Sequence, residues 1–568
     1  MNIQEIRTFL TEHHLQAYVV THGNRFIGQD IIDGENKLKQ LCGFSGSAGI
    51  MAVTPDKVYL LVDGRYELQA RLETDSQVVT VVDAMPRFKN ICDVLKTDGI
   101  DRVAYDAWNH TVAEMEFIKR RYPEISFSDV GDLLHTDTAH AVKVQSRDVA
   151  FAGVDCKQKI NTVAEIIREK SCDYYLLTSA DSVSWLLNIY AAELSYSPVV
   201  RAYALIDAAG KAILIGDGLE ASSFEVWSWQ QFTDFWKQRA GVKILYDAHA
   251  TPEKIKLLAN KELTVIKCPD MCQMMKAEKN AVELKGMIDC HIRDGVALTK
   301  LLYWLENNWR GATELSVVHQ LHQLRAEQHH FFSESFATIA GAGAHGAVVH
   351  YQPDEKSDVP LEANNLLLLD SGGQYLDGTT DVTRTIVLGT PSRQMIEDFT
   401  RVLKAHIRLS SAYFPINTAG IKLDVLARAE IWKNGLDYKH GTGHGVACFG
   451  NVHEGPISIS VGGSEYGFKP NMVVSVEPGI YREGLYGIRI ENLVYTKSVE
   501  SFADGGQFLQ FCNLTKVPID KRLIDAYLLN EGERAWLNEY HRDVYDSLAP
   551  YLNENEKIWL KDACSPLS

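Results

Sequence analysis

Apolar and polar positions in the first half of the chain follow one pattern twice. Apolar residues at helical spacing between Ile3 and Leu10 precede a strand-like run at 17–21. The same order recurs where the amphipathic stretch 160–167 precedes the apolar run 173–178. The first copy continues with strand-like runs at 50–54 and 58–63. The second copy has the corresponding runs at 201–206 and 212–217. The repeat predicts two related α/β domains.

Helical periodicity dominates the chain after residue 273. Apolar residues at three- and four-residue spacing predict amphipathic helices at 278–288, 294–305, 315–328 and 395–407. The tail at 531–564 is rich in Trp, Tyr and Leu and is also expected to be helical. At 568 residues the chain is too long for one core, so we place three domains at 1–145, 146–273 and 274–568.

Four carboxylates in the stretch 366–491 end or interrupt apolar, strand-like runs: Asp370, Asp381, Glu477 and Glu491. A charge in such a run is costly to bury unless it is paired or binds a metal. His444 follows Gly-Thr-Gly in the same stretch, and these glycines let the backbone come close to a metal. The pattern predicts a site that collects positive charge.

Glu477 and Glu491 lie symmetrically about Gly484, in a loop that has turn-forming residues. Two strands folded back on this turn would place both carboxylates opposite each other on one face. Arg489 precedes Glu491 by two residues and therefore shares its strand face. We expect Arg489 to hold the carboxylate cluster by hydrogen bonds.

Asp370 and Asp381 bracket a second turn signal, Asp377-Gly378. The midpoint between the two aspartates falls near Tyr375 instead, which predicts a bulge or a longer loop. The two hairpins and one imidazole would form an oxygen-rich cage, which suits Mn²⁺, Co²⁺ or Zn²⁺. Five ligands that include bridging carboxylates fit two metals about 3.5–4 Å apart better than one.

Composition limits the classes of partner. The net charge of −17 argues against nucleic acid, because phosphate binding needs a basic surface. The first residues lack a basic stretch followed by an apolar one, and no apolar run reaches the roughly 20 residues that span a bilayer. The ten cysteines are scattered, which is typical of a reducing compartment. We therefore expect a cytoplasmic protein with no nucleic-acid or membrane partner.

Several sequence strings in this region resemble those of one enzyme family. They are Asp-Gly-Thr-Thr-Asp-Val-Thr-Arg-Thr, His-Gly-Thr-Gly-His-Gly-Val, Asn-Val-His-Glu-Gly-Pro and Gly-Ile-Arg-Ile-Glu-Asn. The five residues discussed above resemble the metal ligands of the pita-bread metallopeptidases. The strings are similar to those of the long, cytosolic-type Xaa-Pro aminopeptidases (aminopeptidase P). The resemblance extends over nearly the whole chain and implies two creatinase-like α/β domains before a pita-bread catalytic domain.

The resemblance implies that the chain hydrolyses the N-terminal Xaa-Pro bond of peptides with hydroxide activated by two metal ions, most often Mn²⁺. It assigns Asp370 to one ion and His444 and Glu477 to the other. Asp381 and Glu491 would bridge the two ions. Glu477 would also move the proton to the leaving proline nitrogen.

Four further residues are implicated by the same resemblance. His350 and His453 occupy the positions of two substrate-side histidines, which would stabilise the oxyanion. His440 would line the pocket for the residue after the cut bond. Arg65, in Asp-Gly-Arg-Tyr, corresponds to an arginine of the family's first domain, and either a substrate role or a surface position fits it.

Two other functions compete with this interpretation. A prolidase restricted to dipeptides would use the same ligands, although the duplicated N-terminal domain disfavours it. A pita-bread module without metal, which only binds peptides, would be expected to lack several ligands. The chain also departs from the family pattern at His345, where an Asn is usual, and at Tyr190-Ala191, where Arg-Gly is usual. Long members of the family are commonly dimers, so we expect a homodimer.

Overall fold

The structure, a computed structural model, forms two compact units. It describes residues 1–28, 31–32, 34–136, 140–499 and 506–567. The N-terminal unit comprises Met1–Val149, Val154–Leu194 and Pro198–Cys272. The C-terminal unit comprises Ala150–Gly153, Ser195–Ser197 and Gln273–Ser568. The exact boundaries of the three domains stay predictions.

Residues up to 148 form alternating helices and strands. In chain order these elements are α1 (Ile3–Glu12), β1 (Ala17–Thr21), α2 (Lys37–Cys42), β2 (Ile50–Val53), β3 (Val58–Val62), α3 (Glu67–Glu73), β4 (Thr80–Asp83), α4 (Phe88–Thr97), β5 (Arg102–Tyr105), α5 (Val112–Arg121), β6 (Ser126–Asp129), β7 (Val142–Lys143) and β8 (Gln145–Ser146). The Asn2 side chain caps α1 in a capping box with Glu5, which fixes where the first helix begins.

The same alternation continues to residue 277. The elements are α6 (Val149–Ala152), α7 (Cys156–Glu169), β9 (Tyr174–Leu177), α8 (Ala180–Leu187), β10 (Ile189–Tyr190), β11 (Tyr203–Asp207), β12 (Ala212–Ile215), β13 (Leu219–Glu220), β14 (Glu225–Trp227), α9 (Trp229–Gln238), β15 (Lys243–Tyr246), α10 (Glu253–Leu258), β16 (Thr264–Lys267) and α11 (Met271–Ala277).

The N-terminal unit contains two six-stranded sheets of the same design. Their strand orders are β4-β3-β2-β1-β5-β6 and β14-β12-β11-β9-β15-β16. In each sheet the strand that follows the first long helix is central. It pairs antiparallel with one neighbour and parallel with the other, as β1 does with β2 and β5 and as β9 does with β11 and β15. The two copies that the apolar pattern predicts are therefore present.

The C-terminal unit begins with helices and continues with hairpins. Its elements are α12 (Ala281–Asn308), α13 (Glu314–Ala326), β17 (Phe331–Glu334), β18 (Ile339–Ala342), a 3₁₀ helix (Gly343–Ala347), β19 (Asn365–Ser371), β20 (Gly373–Tyr375), β21 (Gly378–Thr379), β22 (Val382–Leu388), α14 (Arg393–Ser410), β23 (Tyr413–Pro415), α15 (Gly420–Trp432), β24 (Gly443–Gly445), β25 (Glu454–Ile459), β26 (Val473–Val476), β27 (Gly479–Arg482), β28 (Tyr486–Arg489), β29 (Asn492–Val499), β30 (Phe508–Asn513), three short 3₁₀ helices (Lys521–Leu523, Ala526–Leu528, Ala549–Tyr551), α16 (Glu531–Leu548) and α17 (Glu554–Ala563). Within the described ranges, no helix has both the length and the apolar character that crossing a bilayer requires.

One long helix, α12, replaces the two helices predicted at 278–288 and 294–305. The apolar pattern breaks between them because polar side chains lie on the buried face. His291 is buried and its Nδ1 donates to the Met287 carbonyl at 2.6 Å. Asp294 accepts from Arg325 Nε at 2.8 Å. His291 and Asp294 each have a hydrogen-bond partner on the buried face, so the helix continues through the interruption.

The hairpin predicted around Gly484 is confirmed. In the ladders β26–β29 and β27–β28, every residue pairs with the one equally distant from Gly484 on the other strand. The register therefore places Glu477 opposite Glu491, at the break between the two ladders. Gly484 adopts φ +71°, a left-handed conformation that suits the tip of a short hairpin loop.

The prediction of a bulge or a longer loop between Asp370 and Asp381 is wrong. The ladders β19–β22 and β20–β21 share one register, and the loop consists of Leu376 and Asp377. Asp370 pairs with Thr383 in this register, so Asp370 and Asp381 are diagonal neighbours on one face. The offset that suggested a bulge is this diagonal relation.

We predict that Gly484→Ala destabilises the C-terminal unit by about 1 kcal/mol, because an L-residue is strained in the left-handed region. A Cβ at Gly484 would meet no atom within 4 Å, so the strain would come from the backbone alone. Gly462 is the control, since its Cβ would also meet nothing within 4 Å and its φ is not left-handed. Urea unfolding of both variants measures the difference, and equal effects would contradict the prediction.

Candidate metal centre

Strand ends in the C-terminal unit bring a histidine and several carboxylates together. One ligand atom from each of Asp381, His444 and Glu491 lies within 4.8 Å of the others. His444 Nε2 is 3.4 Å from Asp381 Oδ2 and 3.5 Å from Glu477 Oε1. Asp381 and Glu491 immediately precede β22 and β29, and Glu477 immediately follows β26. The hairpin registers thus set the positions of these side chains.

Hydrogen bonds fix the orientation of His444. Its Nδ1 lies 3.1 Å from the Gly445 carbonyl, which can only accept, so Nδ1 carries a proton and Nε2 is the nitrogen that faces the carboxylates. The His444 N–H donates to Ser475 Oγ at 2.9 Å, and Ser475 Oγ donates to Glu477 Oε1 at 3.2 Å. A Cβ at Gly443 would fall 1.9 Å from the Ser475 carbonyl oxygen, so only glycine allows this approach of β24 to β26.

Arg489 and Thr383 connect Glu491 to Asp370. Thr383 Oγ1 donates to Glu491 Oε2 at 2.8 Å and accepts from Arg489 Nε at 3.1 Å. Arg489 also donates to Asp370 Oδ2 at 2.5 Å, and only 1% of this arginine is exposed. Hydrogen bonds between ionised partners of this kind are the stronger ones in proteins. Arg489 thus holds Asp370 directly and Glu491 through Thr383.

The same arginine connects to His440. Arg489 NH1 donates to the Tyr481 hydroxyl at 2.6 Å, and this hydroxyl donates to His440 Nε2 at 2.8 Å. His440 Nδ1 donates to the Gly441 carbonyl at 2.7 Å, which leaves Nε2 as the acceptor. A continuous chain of hydrogen bonds therefore runs from His440 through Tyr481 and Arg489 to Asp370.

The negative charge of each carboxylate disfavours ionisation of its neighbours. Burial raises the pKa of Asp381 and Glu491 well above the usual range, and the neighbouring carboxylates raise it further. Loss of hydration also raises the pKa of Glu477, while His444 and Arg489 oppose the shift. These pKa values rise because it is costly to place several like charges in one poorly hydrated site. A bound cation would lower them.

The residues fit divalent cations. Asp370 Oδ1 and Glu491 Oε1 are buried, and neither has a hydrogen-bond partner in the part of the chain that the structure describes. Buried oxygens of this kind cost free energy unless something binds them. Carboxylate oxygens with one imidazole nitrogen form a donor set for Mn²⁺, Co²⁺ or Zn²⁺.

His350, His453 and Arg65, which were also proposed from the sequence, differ in burial and in the residues that they contact. His350 is half-buried, and the preceding Val349 carbonyl accepts from Arg489 NH2 at 3.4 Å. His453 is exposed, and its ring centroid lies 4.3 Å from that of His444. Arg65 belongs to the N-terminal unit, where it donates to Asp63 Oδ2 at 2.7 Å. Its role toward substrate stays a prediction.

Three polar residues of the centre were not found from the sequence: Thr383, Ser475 and Tyr481. Strand alternation offered a signal for two of them. Thr383 follows Asp381 by two residues, and Ser475 precedes Glu477 by two, so each shares a face with a candidate ligand. The link from Tyr481 to His440 depends on residues 41 positions apart, and no local pattern encodes it.

Family models match the chain along nearly all of its length. Residues 285–498 match metallopeptidase family M24, and 507–567 match the C-terminal region of that peptidase family. Residues 2–136 and 137–283 each match a creatinase/prolidase N-terminal domain. These matches confirm the predicted fold class, with two related α/β domains before a pita-bread domain.

Similar proteins cover the full chain. A probable Xaa-Pro aminopeptidase P of Laccaria bicolor is 33% identical over 100% of this chain and 93% of its own length. Xaa-Pro aminopeptidase 1 of Dictyostelium discoideum is 31% identical over 100% of this chain and 96% of its own. The crystal structure of an X-prolyl aminopeptidase from Caenorhabditis elegans, described as a cytosolic enzyme with a di-nuclear active site, superposes with a TM-score of 0.91. It is 30% identical and covers 97% of this chain and 95% of its own.

We predict that Thr383→Val lowers the free energy of unfolding of the metal-free protein by about 1–3 kcal/mol. Valine has the shape of threonine but leaves Glu491 Oε2 without its donor and Arg489 Nε without its acceptor. Thr383→Ser keeps the hydroxyl and is the matched control. Urea unfolding measures both variants, and a serine variant as unstable as the valine variant would show that the lost methyl group matters instead.

Proposed function

The chain belongs to metallopeptidase family M24, in the Xaa-Pro aminopeptidase P group, and we propose that it releases the first residue of peptides whose second residue is proline. One observation carries the proposal: Asp381, His444 and Glu491 converge with Glu477 in a site where burial and like charges disfavour ionised carboxylates. Two divalent cations at this place would stabilise the arrangement. The C. elegans neighbour, with its di-nuclear active site, supports the same number of ions.

In this proposal Asp370 would hold one ion, His444 and Glu477 would hold the other, and Asp381 and Glu491 would contribute to both. Asp370 has one oxygen held by Arg489 and the other available for an ion. His444 has its Nε2 lone pair available because Nδ1 donates to Gly445. The ions, when bound, lower the pKa of the water they share and so supply hydroxide at neutral pH. We propose Mn²⁺ because most of the donors are oxygens.

The protein's own residues would orient the peptide and move the proton. A substrate α-amine bound beside these carboxylates would explain why cleavage is restricted to the N-terminal residue. His350 and His453 donate to the carbonyl oxygen as it becomes negative. Glu477 accepts a proton and transfers it to the proline nitrogen, acting first as a general base and then as a general acid. This nitrogen carries no hydrogen in the peptide, so it must receive one to leave.

We also propose a cytoplasmic location, which the description of the C. elegans enzyme as cytosolic supports. A homodimer is the assembly that we propose. Ile421, Val425 and Trp432 of α15 are 41%, 45% and 46% exposed, and their spacing places them on one helix face. An exposed apolar stripe of this kind favours burial against a second copy.

We predict that Asp381→Asn removes bound metal and lowers hydrolysis of Arg-Pro-Pro by at least about 100-fold, because a bridging oxygen loses its charge. Metal content by mass spectrometry and release of free Arg measure the two effects. Asp289→Asn is the control, since Asp289 is a partly exposed residue that pairs with Lys285 on the same helix.

Three outcomes would count against this function. An Asp381→Asn variant that keeps both ions and full activity would contradict the metal assignment. A wild-type enzyme that cleaves Xaa-Pro dipeptides but no tripeptide would indicate a prolidase. A metal-free wild-type protein without hydrolysis would indicate a peptide-binding module.

We predict that Val425→Glu converts the homodimer to a monomer, because a charge in the apolar stripe of α15 would be buried at the interface. Light scattering after size-exclusion chromatography measures the mass. Ile558→Glu is the control, because Ile558 is 68% exposed on a different helix, α17. A Val425→Glu protein that remains dimeric would exclude this face as the interface.

A further inference from the structure

A single buried carboxylate holds the segment that carries His350. Glu314 lies in the first turn of α13, and none of its surface is exposed. Its Oε1 accepts from the Ala342 N–H at 2.7 Å, and its Oε2 accepts from the Tyr351 hydroxyl at 2.8 Å. His345 Nδ1 lies 3.0 Å and 3.1 Å from the two oxygens. All three donors belong to residues 342–351.

The three donors partly offset the effect of burial on Glu314. Burial raises the pKa of this carboxyl above its usual value, and the bonds from Ala342, Tyr351 and His345 limit the rise. The rings of His345 and Tyr351 also contact each other, with centroids 4.3 Å apart and planes tilted by 31°, so both side chains of this pair bind the one carboxylate. A carboxylate with this many donors would be expensive to replace by a group that must donate as well as accept.

The opposite side of the segment contacts the Glu477–Glu491 hairpin. A Cβ at Gly487 of β28 would fall 1.7 Å from the Gly346 carbonyl oxygen, so the two backbones touch. The Val349 carbonyl accepts from Arg489 NH2 at 3.4 Å, and the same nitrogen donates to Asp370. The segment is therefore fixed between Glu314 on one side and the candidate metal centre on the other. His350 follows directly after this contact.

We propose that Glu314 is a positioning residue that sets where the His350 imidazole lies relative to the substrate carbonyl. The inference rests on the proposed function, in which His350 stabilises the oxyanion. Glu314 contacts neither substrate nor metal in this account. It acts through the segment, because a shift of about 1 Å in a group that stabilises the transition state costs up to about 100-fold in rate.

A mutant cycle between Glu314 and His350 tests the inference in the metal-loaded enzyme. Glu314→Gln keeps the shape but has one acceptor oxygen for three donors, so the segment must rearrange. We expect kcat for Arg-Pro-Pro to fall about 10-fold or more, with KM changed less than about 2-fold and two ions still bound. In a His350→Ala background the same change should cost less than about 2-fold, because the group it positions is absent.

Tyr351→Phe provides a second route should Glu314→Gln fail to fold. It removes one donor without changing charge, and its smaller loss of kcat should also disappear in the His350→Ala background. Glu327→Gln is the control at the opposite, C-terminal end of α13, where Glu327 is exposed. It should leave kcat, KM and metal content unchanged.

The outcomes separate this inference from the proposed function. Additive effects of Glu314→Gln or Tyr351→Phe and His350→Ala, or loss of metal in the Glu314→Gln or Tyr351→Phe protein, would overturn the positioning role while Xaa-Pro cleavage by the wild type stands. A wild-type enzyme that binds two ions yet cleaves no Xaa-Pro peptide would overturn both. Coupling in either cycle with metal content unchanged would support the inference.

Discussion

The repulsion between carboxylates in one poorly hydrated place is the constraint on which the C-terminal unit depends. Four ionised carboxylates and one arginine, with His444 neutral as a metal ligand must be, leave three negative charges in the site. One divalent ion offsets two of these charges, whereas two divalent ions offset all three. The charges of these residues therefore suit a pair of divalent ions better than a single one.

Strand register is what brings these charges together despite their repulsion. Glu477 and Glu491 lie at the break between the ladders β26–β29 and β27–β28. Their backbone N–H groups donate to the Thr442 and Thr383 carbonyls instead of across the hairpin. Asp370 and Asp381 are held by a second hairpin whose register is uninterrupted. The carboxylates cannot separate without breaking ladders that also bury the apolar core around Ile480, Ile488 and Ile490. Hydrophobic burial and backbone pairing together maintain a charge distribution that would otherwise disperse.

Parts of this arrangement were readable from the sequence because they are local. The symmetry of Glu477 and Glu491 about Gly484 predicted a hairpin correctly, since a period of two residues and a turn fix a register. The prediction of a bulge after Asp370 was wrong because two residues can share a face as diagonal neighbours. They need not be equally distant from the turn. The division of α12 failed because Asp294 is polar yet buried against Arg325, a partner 31 residues away. Glu314 and Tyr481 depend on such distant partners, and periodicity cannot reveal them.

The candidate metal ligands and the histidines proposed to contact substrate are held by different kinds of backbone. The difference follows from what each group binds. The candidate ligands are held by strands on both sides, which suits ions whose coordination tolerates little displacement. His350 instead follows a short 3₁₀ helix, and the exposed His453 lies just before β25. A histidine on an irregular segment can face a substrate whose side chain varies, but the segment needs an anchor outside the metal centre. Glu314 fulfils that condition for His350, because its three donors come from the segment itself while its own backbone belongs to α13. Precision at the carbonyl would then arise from a buried carboxylate that never approaches the metal.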